Sequence, residues 1–324
     1  MTRLERLQRK IGRGQALLLG SLGAFDANSY YYYGFEDFGA FLVTRGDCFA
    51  YTREPFGENW VKMQKFGKRQ LPQFVREHKI KTLLFDDNSS LAPAALRLVG
   101  KAKLKPFGAA LSDLRLVKDA GELKKIKTAQ AITKKCVSSV LERGISGKTD
   151  SQVAGLLELE AREMGAALNS FEPIVLVNEA AAKPHGEPSG RRIGRNDLVL
   201  FDVGASYKHY RGDYSATVYY GKDEEIREAI SAVKEAKLSA ERKAKPGVKG
   251  SVLTKAALAV LKERGFGKTS FKAAGLSLGH HLGLQVHEGK RLDETRLRNG
   301  MAFTIEPGVY CPRYGVRFED IKIL

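Results

Sequence analysis

The sequence predicts an α/β protein of the α+β kind, with a small mixed domain over residues 1–115 and a larger domain over 116–324. Three observations lead there. Between residues 15 and 110, short apolar runs (ALLLG, FGAFLVT, TLLFDD) alternate with helix-like stretches such as QLPQFVREHK. A long amphipathic segment follows, and after it strand-like runs recur between helical ones. A chain of 324 residues, 43% of them apolar, is long enough for two cores.

Taken in order, the aromatic run NSYYYYGFEDF, with Tyr30 to Tyr33 and Phe35, reads as a strand, because aromatic side chains favour a pleated surface. The segment VKDAGELKKIKTAQAITKKCVSSVLERG sets Leu123, Ile126, Ala129, Val137, Val140 and Leu141 at steps of three and four, and Gly144 ends it. That is a long helix. Two more helices are expected at DSQVAGLLELEAREMG and DEEIREAISAVKEAKLSAERKAKPG. Strands are expected at PIVLV, DLVLFDVGA, SATVYY, MAFTIEPGVY and GVRFEDIKIL. No internal repeat is visible.

Composition narrows the function classes. No run approaches 18 consecutive apolar residues, and the basic start MTRLERLQRKIGRGQ lacks the apolar block of a signal peptide, so a cytoplasmic protein without membrane contact is expected. Cys48, Cys136 and Cys311 form no CxxC pair and are read as reduced thiols. A net charge of +17 invites a nucleic-acid partner, but the excess is spread along the chain. Residues 1–120 hold 20 Lys and Arg against 12 Asp and Glu, and the remainder is similarly biased. Dispersed charge suits a solvated surface better than a specific nucleic-acid site.

The informative residues are polar ones in apolar settings. Asp202 follows LVLF, Asp213 precedes YSATVYY, His280 lies in LGHHLGLQVHE, Glu306 in FTIEPG and Glu319 in VRFED. A carboxylate beside a core-forming run is costly without a partner. Four carboxylates and one imidazole together suit divalent ions such as manganese, cobalt, iron or zinc, and carboxylates can bridge two such ions.

The order Asp, a second Asp eleven positions on, then GH with a second histidine seven positions on, then TIEPG and VRFED, resembles the pita-bread metallopeptidases. LRLVKDAGELKKIKTA likewise resembles the helix that follows a creatinase-type N-terminal domain. The resemblance implies a pita-bread catalytic domain with a curved, mostly antiparallel sheet flanked by helices. It also implies two divalent ions per chain, Mn²⁺ or Co²⁺ before Fe²⁺ or Zn²⁺. Asp202 would hold one ion, Asp213 and Glu319 would bridge, and His280 and Glu306 would complete the second. Glu306 would shuttle a proton, and His185 and His287 would face the substrate as hydrogen-bond donors.

Three positions depart from the family pattern. Asn178 in IVLVNEAAAKPH replaces a glycine, DYSAT puts Ala216 where an arginine is usual while keeping a hydroxyl at Ser215, and His281 follows His280 where glycine is common. Asn tolerates left-handed backbone, so the first turn should survive. His281 is read as a wall of the cleft, and His78 and His209 as surface or packing residues.

Within the family, the two-domain form points to enzymes that cleave before proline. Arg291, four residues after His287, matches the arginine with which prolidases grip a dipeptide carboxylate, which favours an Xaa-Pro dipeptidase over an Xaa-Pro aminopeptidase. A non-catalytic relative that binds nucleic acid or protein is the alternative from another class. The resemblance also implies a homodimer, in which the tyrosines at 30–33 could reach a partner's cleft.

Overall fold

Two units divide the chain, Met1–Leu114 and Arg115–Leu324. The computed structural model describes residues 2–21, 25–37, 39–87, 89, 91, 102–166 and 168–324. In the first unit, strands β1 (Gln15–Ser21), β2 (Gly39–Val43), β3 (Cys48–Thr52), β4 (Trp60–Lys62), β5 (Thr82–Phe85) and β6 (Lys103–Pro106) form one mixed sheet in the order β4-β3-β2-β1-β5-β6. β1 runs antiparallel to β2 and parallel to β5. Its side chains alternate between two cores: Ala16 and Leu18 pack with Leu42, Phe74 and Leu83, whereas Leu17 and Leu19 pack with Phe41, Val43 and Leu84. Burial on both faces is why ALLLG reads as an unbroken apolar run.

The aromatic run is a helix, not a strand. Helices α1 (Arg3–Gln8), α2 (Ala27–Tyr33), α3 (Leu71–Glu77) and α4 (Gly108–Arg115) accompany the sheet, and α2 contains Tyr30 to Tyr33. Asp26 caps α2 by accepting from the Ser29 amide at 2.6 Å, and Gly34, left-handed at φ 66°, ends it. Two well-formed ends outweigh the β preference of the tyrosines. Tyr33 stacks on Phe41 with ring centroids 4.3 Å apart.

The second unit opens with α5 (Ala120–Glu142), whose Asp119 and Glu122 form a reciprocal capping box. Then come α6 (Asp150–Glu163), α7 (Glu224–Lys243) and α8 (Gly250–Glu263). α8 is a helix the sequence reading passes over. No side chain caps its start at Lys249, and its signal is only the four-residue step of Leu253, Ala257 and Leu261. The strands are β7 (Leu168–Asn169), β8 (Ile174–Val177), β9 (Leu198–Val203), β10 (Ala205–Tyr207), β11 (Tyr210–Arg211), β12 (Tyr214–Tyr219), β13 (Ala302–Ile305), β14 (Gly308–Cys311), β15 (Tyr314–Arg317) and β16 (Asp320–Ile323). Their pairings are antiparallel: β11-β10-β7, β12-β9-β8, β13-β16 and β14-β15.

A duplication lies under this unit, although the sequence shows no repeat. Ahead of α6, the Gly147 amide donates to the Ile193 carbonyl (2.8 Å), Ile193 donates back to Lys148 (2.9 Å), and Asp150 donates to Arg191 (2.9 Å). Ahead of α8, Gly247 donates to Leu297 (2.8 Å), Leu297 to Val248 (2.8 Å) and Gly250 to Thr295 (2.9 Å). Both glycines are left-handed, at φ 82° and 87°. Arg192 and Arg296 each donate to the carbonyl of the corresponding glycine. The same backbone geometry occurs twice with different side chains around it. The helices α5 and α6 cover one core with β8 and β9, and α7 and α8 cover the other.

Asp150 marks where the halves differ. Only 2% exposed, it accepts from the amides of Ser189 (2.9 Å) and Gly190 (2.7 Å) and from the Ser189 hydroxyl (3.1 Å). Burial opposes its charge, but these bonds outweigh it and hold the carboxyl below the usual range. A depressed folded pKa contributes stability above the unfolded pKa, and that stability is lost as pH falls. Asp150→Asn is therefore expected to cost about 1–3 kcal/mol in urea denaturation at neutral pH, and its stability should fall less steeply on acidification. An unchanged midpoint would count against this account.

Candidate metal centre

Strand β9 explains how a carboxylate comes to sit after LVLF. Leu198 and Leu200 point into one core, and Val199, Phe201 and Val203 point into the other. By the same alternation Asp202 leaves the strand on the Leu200 side, opposite Ser215 of β12. Asp213 stands just before β12, His280 in a loop, Glu306 just after β13, and Glu319 between β15 and β16. All five line one cavity of about 510 Å³, together with His185, His287 and Arg317.

The innermost donors converge. One ligand atom each from Asp213, His280 and Glu319 lies within 4.8 Å of the others. His280 Nε2 is 3.5 Å from Asp213 Oδ2 and 3.5 Å from Glu306 Oε1. Asp202 gives Oδ2 to Arg317, while its Oδ1 is buried with no hydrogen-bond partner among the described residues. Burial, then repulsion from Asp202 and Glu306, pushes Asp213 well above the usual carboxylate range, and Glu319 is raised by burial and Asp213. Burial also carries Glu306 up to about 7, against the opposing pull of Arg317, and lowers His280 to about 3, with His287 adding to that fall. A neutral imidazole, an orphaned carboxylate oxygen and mutually repelling carboxylates fit divalent cations, which would satisfy all three.

The surrounding contacts hold this set in place. Gln130 clamps the backbone of Asp213, accepting from its amide (2.8 Å) and donating to its carbonyl (2.7 Å). The Ser215 hydroxyl, kept in DYSAT, donates to Glu319 at 2.6 Å and orients that carboxylate. Thr304 accepts from the His280 amide (3.0 Å) and donates to Glu306 (3.1 Å). A Cβ on Gly279 would meet the Thr304 carbonyl oxygen at 2.1 Å, so only glycine lets the His280 loop lie this close to β13. Asn178 is indeed left-handed, at φ 51°, and its amide bonds Asp197 and the Leu198 backbone.

The sequence reading misses Arg317. It is 2% exposed and donates to Asp202, to Ser215 (2.9 Å), to the Pro184 carbonyl (3.1 Å) and to Tyr310 (3.1 Å). The signal was present in VRFED, an arginine inside an otherwise apolar strand. His281 is not a cleft wall: it is fully buried, does not line the cavity, and faces Phe303 at a centroid distance of 6.0 Å. His78 stacks on Phe74 (4.2 Å). The ring of His287 lies 4.1 Å from that of His280, and burial with the neighbouring His185 lowers its pKa. Arg291 is exposed and lines an adjoining hollow of about 380 Å³, which shares Leu276, Ser277, His280 and His287 with the main cavity.

Comparison with known proteins is consistent with this geometry. Residues 124–323 match Metallopeptidase family M24. The chain is 37% identical over 227 residues to an Xaa-Pro dipeptidase of Pyrococcus furiosus, covering 68% of this chain and 64% of that relative. It is 38% identical over 232 residues to an Xaa-Pro dipeptidase of Pyrococcus horikoshii, covering 69% and 65%. The matches thus span a little under two thirds of those relatives. The crystal structure of an X-Pro aminopeptidase from Thermotoga maritima superposes with a TM-score of 0.86 at 30% identity, covering 98% of this chain and 95% of that one. With a family match over most of the second unit and a shared fold over both, the chain belongs to metallopeptidase family M24.

Proposed function

We propose that this protein is a dinuclear-metal Xaa-Pro dipeptidase, with Asp202, Asp213, His280, Glu306 and Glu319 as metal ligands. The observation that carries the reading is the convergence of these five donors in one cavity, with two further histidines at its wall. When bound, a pair of divalent cations supplies Lewis acidity, making water a nucleophile near neutral pH and polarising a peptide carbonyl. Glu306, lining the cavity beside His280, would take a proton at its carboxylate and return it to the leaving nitrogen. His185 and His287 donate hydrogen bonds to the carbonyl oxygen as charge develops on it. Beyond His287, Arg291 meets the carboxylate of a C-terminal proline. Mn²⁺ or Co²⁺ and a homodimeric assembly belong to the same proposal on the strength of the resemblance. An Xaa-Pro aminopeptidase is the second reading, favoured by the Thermotoga maritima structure.

Three outcomes are expected. Asp213→Asn lowers bound metal and peptidase activity by several orders of magnitude, because a neutral amide is a much weaker ligand for divalent cations than a carboxylate. Full activity in the metal-replete variant would sink the ligand assignment.

Cation stabilisation should depend on pH. The folded carboxyl of Glu306 is raised to about 7, so the metal-free fold loses stability as pH climbs from the unfolded value of about 4.3 toward 7. Added cation must displace that proton. The rise in Tm on adding Mn²⁺ is therefore expected to be larger near pH 7.5 than near pH 5.5. An equal or larger rise at the lower pH contradicts this.

Arg291→Ala separates the two enzymes. Exposure of Arg291 lets water replace part of its contact, so the loss on Xaa-Pro dipeptides should be about 2 kcal/mol, roughly 30-fold in kcat/KM. Cleavage of an Xaa-Pro-Xaa tripeptide, which has no carboxylate at that place, should change little. A parent enzyme that prefers the tripeptide would favour the aminopeptidase.

A further inference from the structure

A buried charge cluster stands outside the ligand set. Glu288, 4% exposed, faces Arg115 (2% exposed) and Lys118 (5% exposed). Its Oε1 accepts from Arg115 Nε at 3.2 Å and from the backbone amides of Leu284 (3.0 Å) and Gln285 (3.3 Å), and its Oε2 accepts from Lys118 Nζ at 3.2 Å. Burial opposes its charge, but Lys118 and Arg115 overcome that and keep the carboxyl below the usual range. Arg115 also donates to the Gln285 side chain. Nothing in the proposed chemistry uses this carboxylate.

Its position gives it a use. The loop 281–288 closes on itself where the Glu288 amide donates to the His281 carbonyl at 2.8 Å, and within it the Gly283 amide donates to Gln285 at 3.0 Å. The turn wraps the carboxylate so tightly that a Cβ on Gly283 would meet Oε2 at 2.7 Å. The same His281 carbonyl lies 3.4 Å from His280 Nδ1. A proton on Nδ1 donated to that carbonyl leaves Nε2 with a free lone pair, and Nε2 is the atom that faces Asp213 and Glu306. His287 immediately precedes Glu288. One carboxylate thus builds the loop that orients one histidine and carries the other.

We infer that Glu288, held by Arg115 and Lys118, is a positioning residue that sets the ring of His280 and the place of His287. The inference rests on the metal-centre reading above for its consequence, though not for its geometry.

The test uses the full chain with Glu288→Gln combined with Lys118→Met, which removes one buried charge of each sign, and Lys118→Met alone as the milder variant. In the metal-free parent, ¹⁵N imidazole correlations should show His280 as the single Nδ1–H tautomer. In the folded double variant that signal should average between tautomers, Co²⁺ affinity should fall about 10- to 100-fold, and kcat should fall more than KM rises. Lys118→Met, which leaves Glu288 held by Arg115 and two amides, should give a smaller loss of the same kind. If the double variant does not fold, the single variant decides. A merely structural cluster would lower Tm while leaving tautomer and Co²⁺ affinity at parent values, and that result in either folded variant overturns the inference. So does a parent His280 that already averages between tautomers. A parent that binds no Co²⁺ removes the metal-centre reading, while the tautomer comparison still judges Glu288.

Discussion

Four little-exposed carboxylates, Asp202, Asp213, Glu306 and Glu319, line one cavity together with the Arg317 guanidinium, and the second unit is organised around that repulsion. Two like charges 4 Å apart cost about 4 kcal/mol at an effective dielectric of about 20. A lone chain segment could not hold such groups together, since each would turn to water. The carboxylates come instead from four separate places on strands or at their ends, and each is tethered by something other than its neighbours. Gln130 grips the backbone of Asp213, Ser215 reaches Glu319, Thr304 reaches Glu306, and Arg317 meets Asp202. The tethers fix positions that the charges alone would abandon.

The duplicated architecture supplies the rigidity. β9 lies between the two cores, sending Leu198 and Leu200 to one and Val199 and Phe201 to the other. A strand locked on both faces cannot slip by one residue without burying the wrong side chains everywhere along it. Its partner β12 places Ser215 opposite Asp202, so the register that packs the apolar residues also sets the polar ones. Packing of the two cores and placement of the carboxylates are therefore one constraint.

Much of this was legible because burying a charge leaves a mark in the sequence. Asp202 after LVLF, Glu306 in FTIEPG and Glu319 in VRFED stand out against apolar flanks, and the structure brings all three to one cavity. Arg317 was equally visible and was passed over, because an arginine in a chain with 54 Lys and Arg residues reads as surface. The tyrosines of α2 misled for a different reason: their strand preference is a property of side chains on a pleat, whereas Asp26 and Gly34 act directly on the backbone. α8 had no capping side chain to announce it, and the repeat was invisible because backbone hydrogen bonds recur there with little recurrence of residue type. His281 could not be placed from sequence, since adjacent loop residues point in unrelated directions.

The whole-chain charge of +17 carried almost no information about the centre, and the reason is physical. Exposed lysines and arginines are solvated and screened beyond about 8 Å in physiological salt, so their number says little about any one place. A buried carboxylate keeps its field and must be answered locally. The carboxylates lining the cavity are a small share of the 37 acidic residues, yet they dictate which segments approach, which glycine is needed and which side chains become tethers. The same logic separates the buried carboxylates from Arg291. The buried carboxylates are held by their tethers against repulsion and can be read from their apolar settings, while Arg291 is exposed on an irregular segment beside the second hollow, where a charge costs little. A residue that costs the fold little leaves no such mark in its neighbours, whereas a buried carboxylate writes its presence into every segment that has to answer it.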